Sequence, residues 1–131
     1  MLFLGYSRTE GKMKPKLSEM LLKVAGGYIA LGEDVEDKRQ LLYGAVSAWN
    51  IACLAPSLRD HALKKFMTEH RMANPAQTFQ DFADVEQDMR ELIRQKCLMF
   101  PDVNVQIVNA HLEEVDDKMH VTVASVHSQE K

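Results

Sequence analysis

The chain has 131 residues, of which 46% are hydrophobic and 27% charged, and its formal net charge is −3. These values are typical of one globular domain, and they exclude a globally disordered chain and a generally basic nucleic-acid-binding protein. No stretch has the roughly 18 to 20 apolar residues that a membrane span requires, and the N-terminus lacks the charge order of a secretory signal. We therefore expect a cytoplasmic protein with one domain.

The N-terminal segment 1–16 has four basic residues and one acidic residue, which gives it a net charge of +3. It shows no hydrophobic periodicity, so we expect a flexible basic leader followed by a single helical domain over 17–127. Met13 offers an alternative translational start, because the patterned sequence begins shortly after it.

Apolar residues with a period of 3.6 predict a first helix over 17–31 and a second over 35–55. Asp34 is a favourable N-cap for the second helix. After Gln40 this helix contains no charged residue, and Trp49 lies on its apolar stripe. A helix that is apolar over most of its circumference must be covered on most sides. The second helix is therefore predicted to be central, covered by its own chain or on one face by a second copy.

Two more helices are indicated by the same period. The third begins after Pro56, with Ser57 as the predicted N-cap, and the fourth covers 81–99. The third helix carries basic residues that do not share one stripe and are diluted by acidic neighbours. Weak nucleic-acid binding through this helix and the basic leader is therefore the third hypothesis.

The apolar period changes from 3.6 to 2 after the fourth helix, which predicts a C-terminal β-hairpin with its tip at 116–117. This register sets Leu112 opposite Val121 and puts most apolar residues on one face. The run 103–107 has the opposite parity, so we expect either a β-bulge near Val108 or partial covering of both faces there.

Together these elements predict an α+β protein that is mainly α. Four helices form a bundle-like core around the central apolar helix, and the hairpin packs against that bundle. An isolated hairpin is marginally stable in water, so this one must pack on a helix or pair its edge with another strand.

The best ligand-like cluster in the chain consists of His111, Glu113 and His120, which project from one face of the predicted hairpin. Imidazole and carboxylate are ordinary metal ligands, so this face is a candidate metal site. The alternative interpretation is a polar, solvent-facing surface with one Glu–His pair.

A second candidate site lies on the charge-free helix. Trp49 is predicted to anchor the core, with an indole N–H that needs an acceptor. Ser47 and Asn50 lie on the less apolar side, where they either hydrogen-bond a neighbouring element or line a small ligand pocket.

No motif in the chain specifies a reaction, so we expect a non-catalytic protein without a cofactor. Cys53 and Cys97 fall within apolar helical patterns and are predicted to be free thiols. The leading hypothesis is a protein-interaction module that forms a homodimer or binds another protein. It rests on the uncharged helix, the exposed hairpin edge and the methionine-rich stripes. The alternative is a small-molecule or metal-binding protein, and neither nucleic acid nor a membrane is a favoured partner.

Overall fold

The computed structural model describes residues 16–126, which form four helices followed by a two-stranded antiparallel sheet. The elements are α1 (Leu17–Ile29), α2 (Val35–Ala52), α3 (Pro56–Ala73), α4 (Phe79–Met99), β1 (Ile107–Val115) and β2 (Lys118–Ser125). The expected α+β, mainly α fold with a C-terminal hairpin is confirmed. The predicted leader lies outside the described residues except for Lys16, and so does His127 at the predicted end of the domain.

The second helix is the centre of the fold, because α2 contacts α1, α3, α4 and β1. Its small residues let these neighbours approach closely, and its own chain covers most of its surface. The charged first turns remain exposed, and after Gln40 the exposed residue of α2 is Tyr43, with 64% of its surface exposed. The buried residues of α2 are Leu42, Gly44, Ala45, Ala48, Trp49, Ile51 and Ala52.

The capping residues explain where the helices begin. Asp34 is the N-cap of α2, as predicted, and its carboxylate accepts a hydrogen bond from the Asp37 N–H at 2.8 Å. The fourth helix starts at Phe79, two residues before the predicted start. Thr78 and Asp81 form a capping box there, because each side chain accepts the backbone N–H of the other.

The predicted cap of α3 is wrong. This helix begins at Pro56, and Ala55 occupies the N-cap position in place of Ser57. Proline favours the first position of a helix, because its ring presets φ and its missing N–H would have no helical acceptor. Proline also holds Ala55 in an extended conformation, so α2 cannot reach Ala55 as predicted, and it ends at Ala52.

The register of the hairpin is the predicted one, with Leu112 opposite Val121 and Glu113 opposite His120. Asp116 and Asp117 form the tip with φ of 53° and 63°, the left-handed pair that a tight type I′ turn requires. The ladder is irregular between Ile107 and Asn109, where a bulge was expected.

The apolar face of the hairpin packs on the helices. Leu112 is fully buried, and Val121 opposite it is 9% exposed. The other face is exposed to solvent along both strands. Of the alternating run 103–107, only Ile107 belongs to β1, and the preceding residues cross the end of α2 as an extended segment.

Candidate functional site

The inner half of β1 is bound to α2 by the side chain of Asn50. Its Nδ2 donates to the Ile107 carbonyl at 2.8 Å, and its Oδ1 accepts the Ile107 N–H at 2.7 Å. The N–H and C=O of Ile107 point away from β2. The Asn50 amide binds both of these groups, as the backbone of a neighbouring strand would. Asn50 was predicted as a candidate ligand residue. In the structure its side-chain amide is instead hydrogen-bonded to β1.

The far end of β1 is also held by α2. Arg39 donates from Nε to the Leu112 carbonyl at 3.1 Å, and the Lys38 ammonium forms an ion pair with Glu114. In a hairpin closed by a two-residue turn, alternate residues point their N–H and C=O groups away from the partner strand. Leu112 is one of these residues, so Arg39 binds the outer edge of β1.

The outer edge of β2 has no comparable contact. By the same alternation, Met119, Val121 and Val123 direct their N–H and C=O groups away from β1. Within residues 16–126, no hydrogen bond reaches these groups, and β2 has only β1 as a neighbouring strand. Among the described residues the two edges of the hairpin therefore differ, since α2 side chains bind the outer edge of β1 while the outer edge of β2 has no hydrogen-bond partner.

Trp49 lies in the core with 1% of its surface exposed. Its indole N–H donates to the Val105 carbonyl at 2.9 Å, which supplies the predicted acceptor. Phe100 packs 6.2 Å from its ring, and the buried Lys96 places its ammonium 5.3 Å from the ring centroid. A cation over an indole face is a favourable electrostatic contact. Trp49 therefore joins α2 to the chain that follows α4.

Ser47 and Asn50 both line a cavity of about 470 Å³ between α2 and β1. We call it the α2–β1 cavity. Trp49 is not among its lining residues, because it projects from a different side of α2. The wall contains the cationic Arg39 and the imidazole of His111, but no carboxylate. The structure thus brings two of the three candidate ligand residues together and separates the third.

The candidate metal residues lie on the exposed face of the hairpin. His111 Nε2 is 3.4 Å from the Glu113 carboxylate, and Glu113 is the cross-strand partner of His120. Both members of the His111–Glu113 pair are more than half exposed. In the described part of the chain, no group of three His, Cys, Asp or Glu side chains is arranged to hold a metal ion.

A second cavity, of about 440 Å³, was not predicted from the sequence. It opens between α2, α3 and α4, with Tyr28 of α1 in its wall, and we call it the aromatic pocket. Burial, reinforced by the charge of Asp88, raises the pKa of the Tyr28 hydroxyl, so this group remains a proton donor at neutral pH. The wall is formed by Tyr28, Asp37, Gln40, Leu41, Tyr43, Gly44, Phe66, Glu69, His70, Ala73, Asn74, Gln77, Val85 and Met89.

The two cysteines are free thiols at half-buried positions. Cys53 Sγ lies 3.7 Å from the carbonyls of Val103 and Val105. Burial raises the pKa of the Cys53 thiol, which keeps it protonated and makes it a poor nucleophile at neutral pH. We therefore interpret Cys53 as a packing residue between α2 and the segment that precedes β1.

The basic residues of α3 are largely engaged with their own chain. Arg59 donates to the Leu54 carbonyl at 3.0 Å, Lys64 pairs with Asp60, and Arg71 lies over the ring of Phe82. Their charges are therefore dispersed and do not form one basic stripe.

Comparisons with protein families, with curated proteins and with solved structures found no match to this chain. None of the helices in the described range 16–126 is long and apolar enough to cross a membrane.

Proposed function

We propose that this protein is a non-catalytic interaction module that self-associates, by pairing the open β2 edges of two copies. The observation that carries the proposal is the difference between the hairpin edges. An exposed edge presents unpaired N–H and C=O groups, which are a template for a strand from another chain. After Gln40, most of α2 is covered by its own chain, and Tyr43 is its exposed residue, so this helix offers little apolar surface to a second copy.

The residue pattern of β2 suits antiparallel pairing with itself. A twofold axis at Val121 sets this residue opposite its own copy and sets Met119 opposite Val123 of the second copy. All three residues lie on the face of the hairpin that packs toward the helices. The resulting four-stranded sheet therefore keeps its apolar residues on one continuous face, and its outward backbone groups gain hydrogen-bond partners.

The polar face is compatible with the same register. Lys118 faces Ala124 of the second copy, and His120 faces Thr122. No like charges stand directly opposite each other, and opposed like charges are the arrangement that destabilises strand pairing. In this register the outward backbone groups find hydrogen-bond partners, the apolar residues share one face, and the polar face has no opposed like charges.

The experiment is sedimentation velocity over a concentration series, with wild type compared to Val123→Pro and Val123→Thr. The N–H of Val123 points outward, so proline removes a donor for the second copy while the ladder to β1 stays intact. We expect a concentration-dependent dimer for wild type and Val123→Thr, and a monomer for Val123→Pro. A monomeric wild type at every concentration, or a proline variant that dimerises as wild type does, would overturn the proposal.

A second candidate function is small-molecule binding in the α2–β1 cavity. It is favoured by the cavity wall, which contains the Ser47 hydroxyl and the cationic Arg39 and no carboxylate. These groups suit a small carboxylate ligand. The test is titration with benzoate, followed by NMR shifts of β1 amides. We expect Ser47→Ala to weaken binding while the control Ser57→Ala does not, and the absence of shifts in wild type would reject this candidate.

Two further expectations belong to the proposal. The module is cytoplasmic, in keeping with the two free thiols, because reducing compartments keep cysteines unpaired. It acts without a cofactor.

A further inference from the structure

We infer that the aromatic pocket binds a small organic cation, a substituted ammonium ion, at a site separate from the β2 edge. The inference rests on the shape of the pocket and on the kinds of residue in its wall. Its volume of about 440 Å³ lies in the range of small-molecule sites.

One wall of the pocket is a row of aromatic rings. Tyr43 and Phe66 stack with their centroids 6.3 Å apart, and Phe66 stacks on His70 at 6.0 Å. A ring face that is not turned to a neighbouring ring carries negative electrostatic potential, and it attracts ammonium groups that have lost part of their hydration. Alkylated ammonium groups suit such a wall best, because their methyl groups make dispersion contacts with the rings.

The charges in the wall have one sign. Asp37 and Glu69 contribute carboxylates, and none of the lining residues is Lys or Arg. The α2–β1 cavity shows the opposite pattern, with an arginine and no carboxylate. An organic cation is therefore the ligand class whose charge complements the aromatic pocket, whereas an anion would meet two carboxylates.

His70 contributes an imidazole ring that contacts two side-chain amides. Its Nε2 lies 3.0 Å from Gln77 Oε1, and Asn74 Nδ2 lies 3.3 Å from its Nδ1. The neutral imidazole with its proton on Nε2 satisfies both contacts, because Nδ1 then accepts from the Asn74 amide. The two amides thus hold the ring in place as part of the aromatic wall.

The test uses choline and its neutral carbon analogue 3,3-dimethyl-1-butanol, which has the same shape without the charge. Each is titrated into the full chain at neutral pH and low salt, and binding is followed by NMR shifts of the α2 and α3 amides. We expect choline to bind at least about tenfold more tightly than the neutral analogue, and added salt to weaken choline selectively.

Variants locate the site. Phe66→Leu removes a ring and Glu69→Gln removes a charge, and we expect each to weaken choline binding by about three- to tenfold. Phe79→Leu and Glu91→Gln are the matched controls, because neither residue lines the pocket and Phe79 is 89% exposed. Circular dichroism checks that each variant is folded, and Tyr43→Leu replaces Phe66→Leu if that variant unfolds.

Equal binding of choline and its neutral analogue would overturn the inference, and so would no choline shift up to about 50 mM. Equal losses in the pocket variants and the controls would also overturn it. The result is independent of the dimer, because none of the variants changes β2.

Discussion

The two edges of the hairpin differ in how the chain treats their backbone groups. Along β1, Asn50 binds both outward groups of Ile107 and Arg39 binds the Leu112 carbonyl. Along β2, the described residues make no such contact. A side-chain amide or guanidinium on a helix beside a strand can thus bind backbone groups that a neighbouring strand would otherwise bind. Among the described residues, the β2 edge is the one that remains available for another chain.

The difference follows from the position of α2. This helix runs beside β1, so side chains near both of its ends can reach the edge of that strand. The β2 edge lies on the far side of the hairpin, where α1 packs under the apolar face. A two-stranded sheet always has two edges, and here one central helix can bind only the nearer one.

Breaking the Asn50 contact has the largest expected effect. Asn50→Leu leaves the N–H and C=O of Ile107 without partners in a partly buried place, and we expect a loss of about 2–3 kcal/mol in the free energy of unfolding. Urea denaturation measures it. The control Asn104→Leu changes an exposed asparagine and is expected to stay within about 0.5 kcal/mol of wild type. A similarly small change for Asn50→Leu would show that the amide contributes little to holding β1.

Arg39→Met is expected to have a smaller effect. Methionine keeps an unbranched apolar stem but removes the hydrogen bond to the Leu112 carbonyl together with an exposed ion pair to Glu36, so we expect a loss of about 1 kcal/mol in the same urea experiment. Arg94→Met is the control, since Arg94 forms only an exposed ion pair with Glu91. If both variants lose the same amount, the contact of Arg39 with the strand edge has no special role.

Substitutions at Ala124 on β2 are expected to have the smallest effect, a change in the affinity of the proposed dimer. In the proposed dimer Ala124 faces Lys118 of the second copy, twice by symmetry. Ala124→Glu is expected to tighten the dimer about fivefold and Ala124→Lys to weaken it by a similar factor, with both effects reduced by salt. Sedimentation equilibrium measures both variants. Effects of the same sign for Glu and Lys would contradict this register.

Much of the fold could be predicted because the signals are local. The tip at 116–117 and the alternation around it determine which hairpin residues face each other, and the parity change before Val108 indicated the bulge. The charge-free run after Gln40 indicated that α2 is central. Thr78 could also have been found, since Thr and Asp three residues apart form a readable capping pattern.

The contacts of the candidate site are not local, and they could not be predicted. Asn50 binds a residue 57 positions away, and nothing in a helical asparagine specifies which backbone it will meet. The aromatic pocket depends on how α2, α3 and α4 are spaced, because Tyr43 and Phe66 come from different helices. Side-chain type indicated what these residues can do, but only their packing showed what they face.

The contacts of Trp49 and Asn50 also affect how the protein is made. Both residues are synthesised more than fifty positions before the backbone they bind, at Val105 and Ile107. A nascent chain that has released only its four helices therefore holds a central helix with an indole N–H and an amide still lacking their acceptors. The central helix therefore gains these two acceptors only after Val105 and Ile107 have been synthesised, so the chain that follows α4 completes the hydrogen bonding of α2.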